Sequence, residues 1–147
     1  MFTINRKHIK ALLTVLIALA TTCFQAQNFW AGYVAKPITK PGYENLKFRY
    51  HAFVRTEGED DDAAAGLWVR VDRGGGKTGF FDNMQKEPIQ STEWKEYTIE
   101  GSVDDDYTRI VFGIWSRYNG KFYIDDVTFE VQTKDNKWET IYKTGYC

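Results

Sequence analysis

Few side chains in this sequence are suited to covalent chemistry. His51 is the only histidine after the first ten residues, Cys147 is the last residue, and there is no Gly-x-Ser-x-Gly turn. Acyl transfer by an activated nucleophile therefore has no parts to build from. Gly76, Lys77 and Thr78 look like the end of a phosphate-binding loop, but Val71 stands where its leading glycine belongs. No helical pattern follows to supply N-terminal amides, so the glycines read as a turn. Asp82, Asp125 and Asp126 could converge as paired carboxylates, but a glycosidase needs a cleft that a domain this small seldom builds. The expectation is a protein that is not an enzyme.

Metal binding divides the acidic residues into two kinds. The runs Asp60 to Asp62 and Asp104 to Asp106 lack the Asp-x-Asp-x-Asp-Gly spacing of a calcium loop and read as solvated loops. Asp125 and Asp126 lie between Ile124 and Val127 inside an apolar strand pattern. One of the two should face the interior, where a carboxylate requires hydrogen bonds or a cation. Alternation puts Asp125 on the face of Tyr123, Val127, Phe129 and Val131, so Asp125 is expected inward. It would be held either by backbone amides or by a structural calcium, the one cofactor the sequence suggests.

Binding chemistry is better provided for. The chain has five Trp, nine Tyr and ten Phe, and every Trp and Tyr follows Ala26. That is more aromatic surface than a small core needs, and exposed aromatic surface usually binds something. In alternating strands Arg49, His51, Trp68, Arg70, Trp115 and Arg117 point away from the faces rich in Leu, Ile and Val. Flat rings flanked by forked donors suit a sugar, whose CH face stacks while its hydroxyls accept and donate hydrogen bonds. The candidate ligand-binding residues are Trp68 and Trp115 as platforms, with Arg70, His51, Asp82 and Arg117 as polar contacts. The alternative is a plain polar outer face with Trp68 covered by a loop.

The elements that must position these residues begin after a leader. Met1 to Lys10 holds Arg6, Lys7 and Lys10 with no acid, and Ala11 to Ala20 is almost wholly apolar. This is a secretory signal whose apolar run is too short to span a bilayer. Cleavage after Ala26 leaves residues 27–147 as one domain, in a secreted or periplasmic setting. Cys23 is a candidate lipid anchor instead, but Ala20, Thr21 and Thr22 make a poor lipobox. With Cys147 the only cysteine left after cleavage, no internal disulfide can form, so the fold must stand on its core. The 19 basic and 20 acidic residues of the 147 exclude a basic nucleic-acid binder.

Period-two patterns then recur. Strands are expected over Leu46 to Val54, Ala65 to Val71, Phe80 to Met84, Trp94 to Val103, Arg109 to Trp115, Phe122 to Val131 and Trp138 to Tyr142. Asn119 with Gly120 signals a hairpin, and Asp135 with Asn136 another turn. No convincing helical period follows Gln27, so the expected fold is an all-β, jelly-roll sandwich of eight to ten strands.

From Gly66 onward specific blocks accumulate: Gly66 to Asp72, then Phe81, Asp82, Asn83 and Met84, Pro88 and Ile89, Trp94 and Tyr97, Phe112 and Gly113, and Ile124 to Val127. The stretch from Leu46 to Val131 resembles a galactose-binding-like jelly-roll domain of the carbohydrate-binding-module type. Such domains are found beside bacterial S41-type peptidases, esterases and transcriptional regulators. The resemblance implies a non-catalytic accessory domain, with a structural calcium mapping to Asp125 or Asp126. It also leaves two contexts open, since no catalytic domain follows Tyr142: a domain acting alone, or a piece of a longer protein. Two functions follow from residues and resemblance together. One is a module that binds carbohydrate or a cell-surface polymer; the other is an interaction domain that docks onto an enzyme partner.

Overall fold

The computed structural model describes residues 31–144. The leader with its cleavage point after Ala26, the candidate anchor Cys23 and the terminal Cys147 lie outside the described residues. Eight strands run in order: β1 (Ala31–Val34), β2 (Lys47–Gly58), β3 (Ala64–Arg73), β4 (Lys77–Asp82), β5 (Lys95–Ser102), β6 (Tyr107–Arg117), β7 (Gly120–Gln132) and β8 (Trp138–Thr144). They form two antiparallel four-stranded sheets. Sheet I has the order β1-β6-β3-β4 and sheet II the order β5-β2-β7-β8. Among the described residues the one helical segment is a three-residue turn, Gly74–Gly76, and no helix is long and apolar enough to cross a membrane.

Alternation explains why these segments are strands. β2 buries Phe48, Tyr50, Ala52, Val54 and Thr56 and turns Lys47, Arg49, His51, Phe53 and Arg55 outward. β3 does the same with Ala65, Leu67, Val69 and Val71, and β6 with Ile110, Phe112 and Ile114. The inner faces meet in a stack of rings. Phe112 and Phe129 have centroids 4.8 Å apart, Tyr50 and Phe112 5.1 Å, and Phe48 and Phe129 5.2 Å. Phe80 and Tyr142 close the stack edge-on, and such pairs add to the gain from burial alone. The buried Tyr50 hydroxyl donates to the Gly113 carbonyl at 3.1 Å, so a polar group at the centre is satisfied and links the two sheets.

Three expectations change. β1 was not read from the sequence, because four residues are too few to display a period. Asn119 and Gly120 do stand in a tight turn, with Tyr118 at φ 63°, but β6 and β7 lie in different sheets and do not pair as a hairpin. The inward assignment of Asp125 is overturned by a β-bulge. The β2–β7 register shifts between His51 and Phe53, and Asp126 takes a left-handed φ of 48°, which a short acidic side chain tolerates. The extra residue reverses the parity, so Phe122 and Ile124 before it and Val127, Phe129 and Val131 after it all face the core. Asp125 pairs with outward-facing Phe53, accepts the Asp126 amide at 2.8 Å and is half-buried, while Asp126 is exposed.

Truncating the centre of the ring stack tests this architecture. Phe112→Ala is expected to cost about 3–5 kcal/mol in chemical denaturation, the range for deleting a buried aromatic ring. A loss below about 1 kcal/mol would mean that the rings do not pack as described.

Candidate functional site

The outer face of sheet I carries the clearest constellation, and register builds it rung by rung. Gly66 on β3 stands opposite Trp115 on β6, and Trp68 stands opposite Gly113. Arg70 lies between Val111 and Phe81, and Asp72 between Arg109 and Thr78. Each tryptophan therefore has a glycine beside it. The Trp115 ring lies directly over Gly66, where an added Cβ would sit 2.5 Å from ring atoms. Its indole N–H donates to the Asn83 carbonyl at 2.7 Å, and the residue is only 6% exposed. Trp115 is thus a covered packing residue, which corrects its assignment as an open platform. Trp68 is half-buried on the same face, and Phe81, not among the expected contacts, is 55% exposed.

Beside Phe81 the face becomes ionic. The Asp72 carboxylate accepts Arg70 Nε at 2.6 Å and also the Arg109 Nε. Burial raises the pKa of Asp72, but the bonds from Arg109 and Arg70 outweigh it and hold the carboxyl below its usual range. These groups line a cleft of ≈ 560 Å³ with Arg73, Lys77 and the glycine turn. Gly75 and Gly76 take φ of 69° and 73° there, a region open to glycine at little cost, and a Cβ at either would meet nothing. Arg73 is paired with Asp104, Asp105 and Asp106.

The remaining expected contacts are dispersed. Asp82 is exposed at the end of β4, where its Oδ1 accepts the Met84 amide at 2.9 Å and shapes the turn. With Phe81, Met84, Pro88 and Tyr97 it lines a second cleft of ≈ 780 Å³. Arg117 donates to the Asp62 carbonyl at 3.3 Å and lies over Trp115, away from Arg70. His51 belongs to the other side of the molecule. It projects from sheet II, with its Nδ1 2.9 Å from Glu96 and its Nε2 3.3 Å from Glu130, and packed sheets stand about 10 Å apart. His51 therefore cannot share a ligand with Trp68, because alternation reports which side of a strand faces water but not which sheet the strand joins.

Sheet II has aromatic groups of its own that were not singled out in the sequence. Phe53 and Trp94 are 39% and 47% exposed. Arg55 lies 4.2 Å from the Tyr123 ring, and Arg49 lies 4.3 Å from the Trp138 ring while pairing with Glu130. Phe53 was legible, since it stands on the solvent parity of β2. Phe81 was partly so, because one of two consecutive phenylalanines in a strand must face out.

A structural calcium at Asp125 and Asp126 does not fit these residues. Asp125 faces outward beside Phe53, Asp126 is exposed in the bulge, and among the described residues no three His, Cys, Asp or Glu side chains gather as metal ligands.

No family model matches the chain. A stretch of 89 residues, 60% of the chain, is 34% identical to an uncharacterized HTH-type transcriptional regulator of Bacillus subtilis (strain 168), YbfP; it spans 30% of that protein's length. A family 16 carbohydrate-binding module superposes with a TM-score of 0.52 and 14% identity, over 70% of this chain and 71% of that one. The enzymatically active domain of bacteriophage CBA120 tailspike protein 4 superposes at 0.51 with 13% identity, over 69% of this chain and 14% of that one. At such identities the likeness shows the fold alone, a two-sheet β-sandwich.

Two outcomes follow from this geometry. Gly66→Ala is expected to destabilise by about 1–3 kcal/mol and to shift Trp fluorescence, because the new methyl drives the Trp115 ring off the sheet. Acid should destabilise too. The Glu130 carboxyl is held low by its bond from Arg49, against the effect of burial, and Asp106 by its bond from Arg73. Together with Asp72, these groups contribute stability above their unfolded pKa values of about 4 and lose it as pH falls through their lower folded values. The melting temperature should hold from neutral pH to about pH 5 and fall below about pH 4.

Proposed function

We propose that this domain is a non-catalytic binding module for carbohydrate or a related cell-surface polymer, acting in a secreted or periplasmic setting. The outer face of sheet I is its contact surface. The observation that carries this reading is the exposed Phe81 ring opposite Arg70 of the Arg70–Asp72–Arg109 network, on the outer face that also carries Trp68. An apolar ring accepts the CH face of a pyranose, and the fixed guanidinium donors orient its oxygens. The fold shared with a family 16 carbohydrate-binding module supports the reading, as does the secretory pattern of the first 26 residues.

A second reading, an interaction domain that docks onto a protein partner such as an enzyme, is favoured by exposed Phe53 and Trp94 on sheet II. A glycan array followed by fluorescence titration separates the two. The module should bind at least one glycan, and Phe81→Ala and Trp68→Ala should each weaken it about tenfold or more, as loss of a buried aromatic contact implies. Absence of binding across the array, or full affinity in both folded variants, would overturn the sheet I reading.

A further inference from the structure

The cleft at the glycine-turn end of sheet I carries more specific chemistry than a sugar platform requires. Four cations line it, Arg70, Arg73, Lys77 and Arg109, against a single lining carboxylate, Asp72. Asp72 is shared by two guanidinium groups, which leaves one positive charge in surplus. The Lys77 side chain is exposed and makes no side-chain hydrogen bond or ion pair within 4 Å among the described residues, although its charge helps hold the Asp106 carboxyl low, and Arg109 engages Asp72 through Nε while its side chain is half exposed. The three aspartates that pair with Arg73 offset its charge and do not line the cleft, so the donors left for an anion are Lys77 and the Arg70–Arg109 pair. A surplus of forked and mobile donors facing open space is what an anion requires.

Distance ties the cleft to the aromatic platform. Phe81 stands beside Arg70, and Asp72 lies two residues further along β3, a step of roughly 7 Å on the same face. A sugar ring seated on Phe81 therefore reaches the Arg70–Arg109 pair with a substituent projecting from its edge. We infer that this cleft takes the carboxylate of a uronic-acid residue, so that the polymer recognised is an acidic polysaccharide. This rests on the proposed binding face and adds the class of ligand.

Affinity electrophoresis of the full chain tests it, with gels containing polygalacturonate, alginate, fully methyl-esterified polygalacturonate or dextran sulfate. At least one of the two uronate polymers should retard the protein at a concentration about tenfold lower than the esterified polymer does. Lys77→Glu should weaken that retardation about tenfold while leaving the melting temperature unchanged, and Phe81→Ala should weaken it as well. Equal retardation by acid and ester, or a Lys77→Glu protein that behaves as wild type, would overturn the carboxylate assignment and leave neutral glycan binding standing. Dextran sulfate matching the uronates without dependence on Phe81 would reduce the cleft to a loose ion exchanger and overturn it too. No retardation in any gel, together with an empty glycan array, would overturn both the ligand class and the binding face.

Discussion

Burial of Phe48, Tyr50, Phe112 and Phe129 between the two sheets decides which side of every strand meets water. Once these rings face inward, period two sends Trp68, Arg70 and Asp72 outward on β3, and Arg49, His51 and Phe53 outward on β2. No catalytic or metal requirement is needed to place them. The same stack carries a polar tie, since Tyr50 reaches the Gly113 carbonyl in the facing sheet, and Gly113 is the rung partner of Trp68. Packing inside and the Trp68 ring outside therefore share one backbone position.

The two tryptophans of sheet I show how closely structure and function sit on that face. Trp115 lies on Gly66 and gives its N–H to Asn83, so its ring anchors the loop after β4 and holds Phe81 and Asp82 at the mouth of a cleft. Trp68, with a glycine across from it and more of its surface open, remains free of that task. Residues of one type on one face thus differ, Trp115 being covered and Trp68 half-buried. Exposure separates them, because a ring that is already covered offers a sugar no surface.

Much of the fold was legible in the chain. Alternation marks the strands over Leu46 to Val54, Ala65 to Val71 and Arg109 to Trp115, and the aromatic excess accords with the exposed rings of Phe53, Phe81 and Trp94. What was not legible has physical reasons. β1 is too short to show a period, and the Asp126 bulge reverses the parity of β7 without a mark in the apolar pattern. The pairing of strands into sheets depends on contacts remote in sequence, so His51 could be placed on a solvent face but not on the right side of the molecule. The ionic cleft was partly visible, since Asp72 shares the outward parity of Arg70. Its union with Arg109 and Lys77 required the register of three strands.

The central claim is that a glycan lies across sheet I, over β3 and β4, with Phe81 beneath it. Backbone amide chemical-shift mapping during titration with an oligosaccharide that the protein binds tests this most directly. The account predicts that shifts concentrate at Trp68, Arg70, Asp72, Lys77 and Phe81, with the amides of β2 and β5 unmoved. Shifts concentrated instead at His51, Phe53, Glu96 and Tyr123 would place the ligand on sheet II and contradict it.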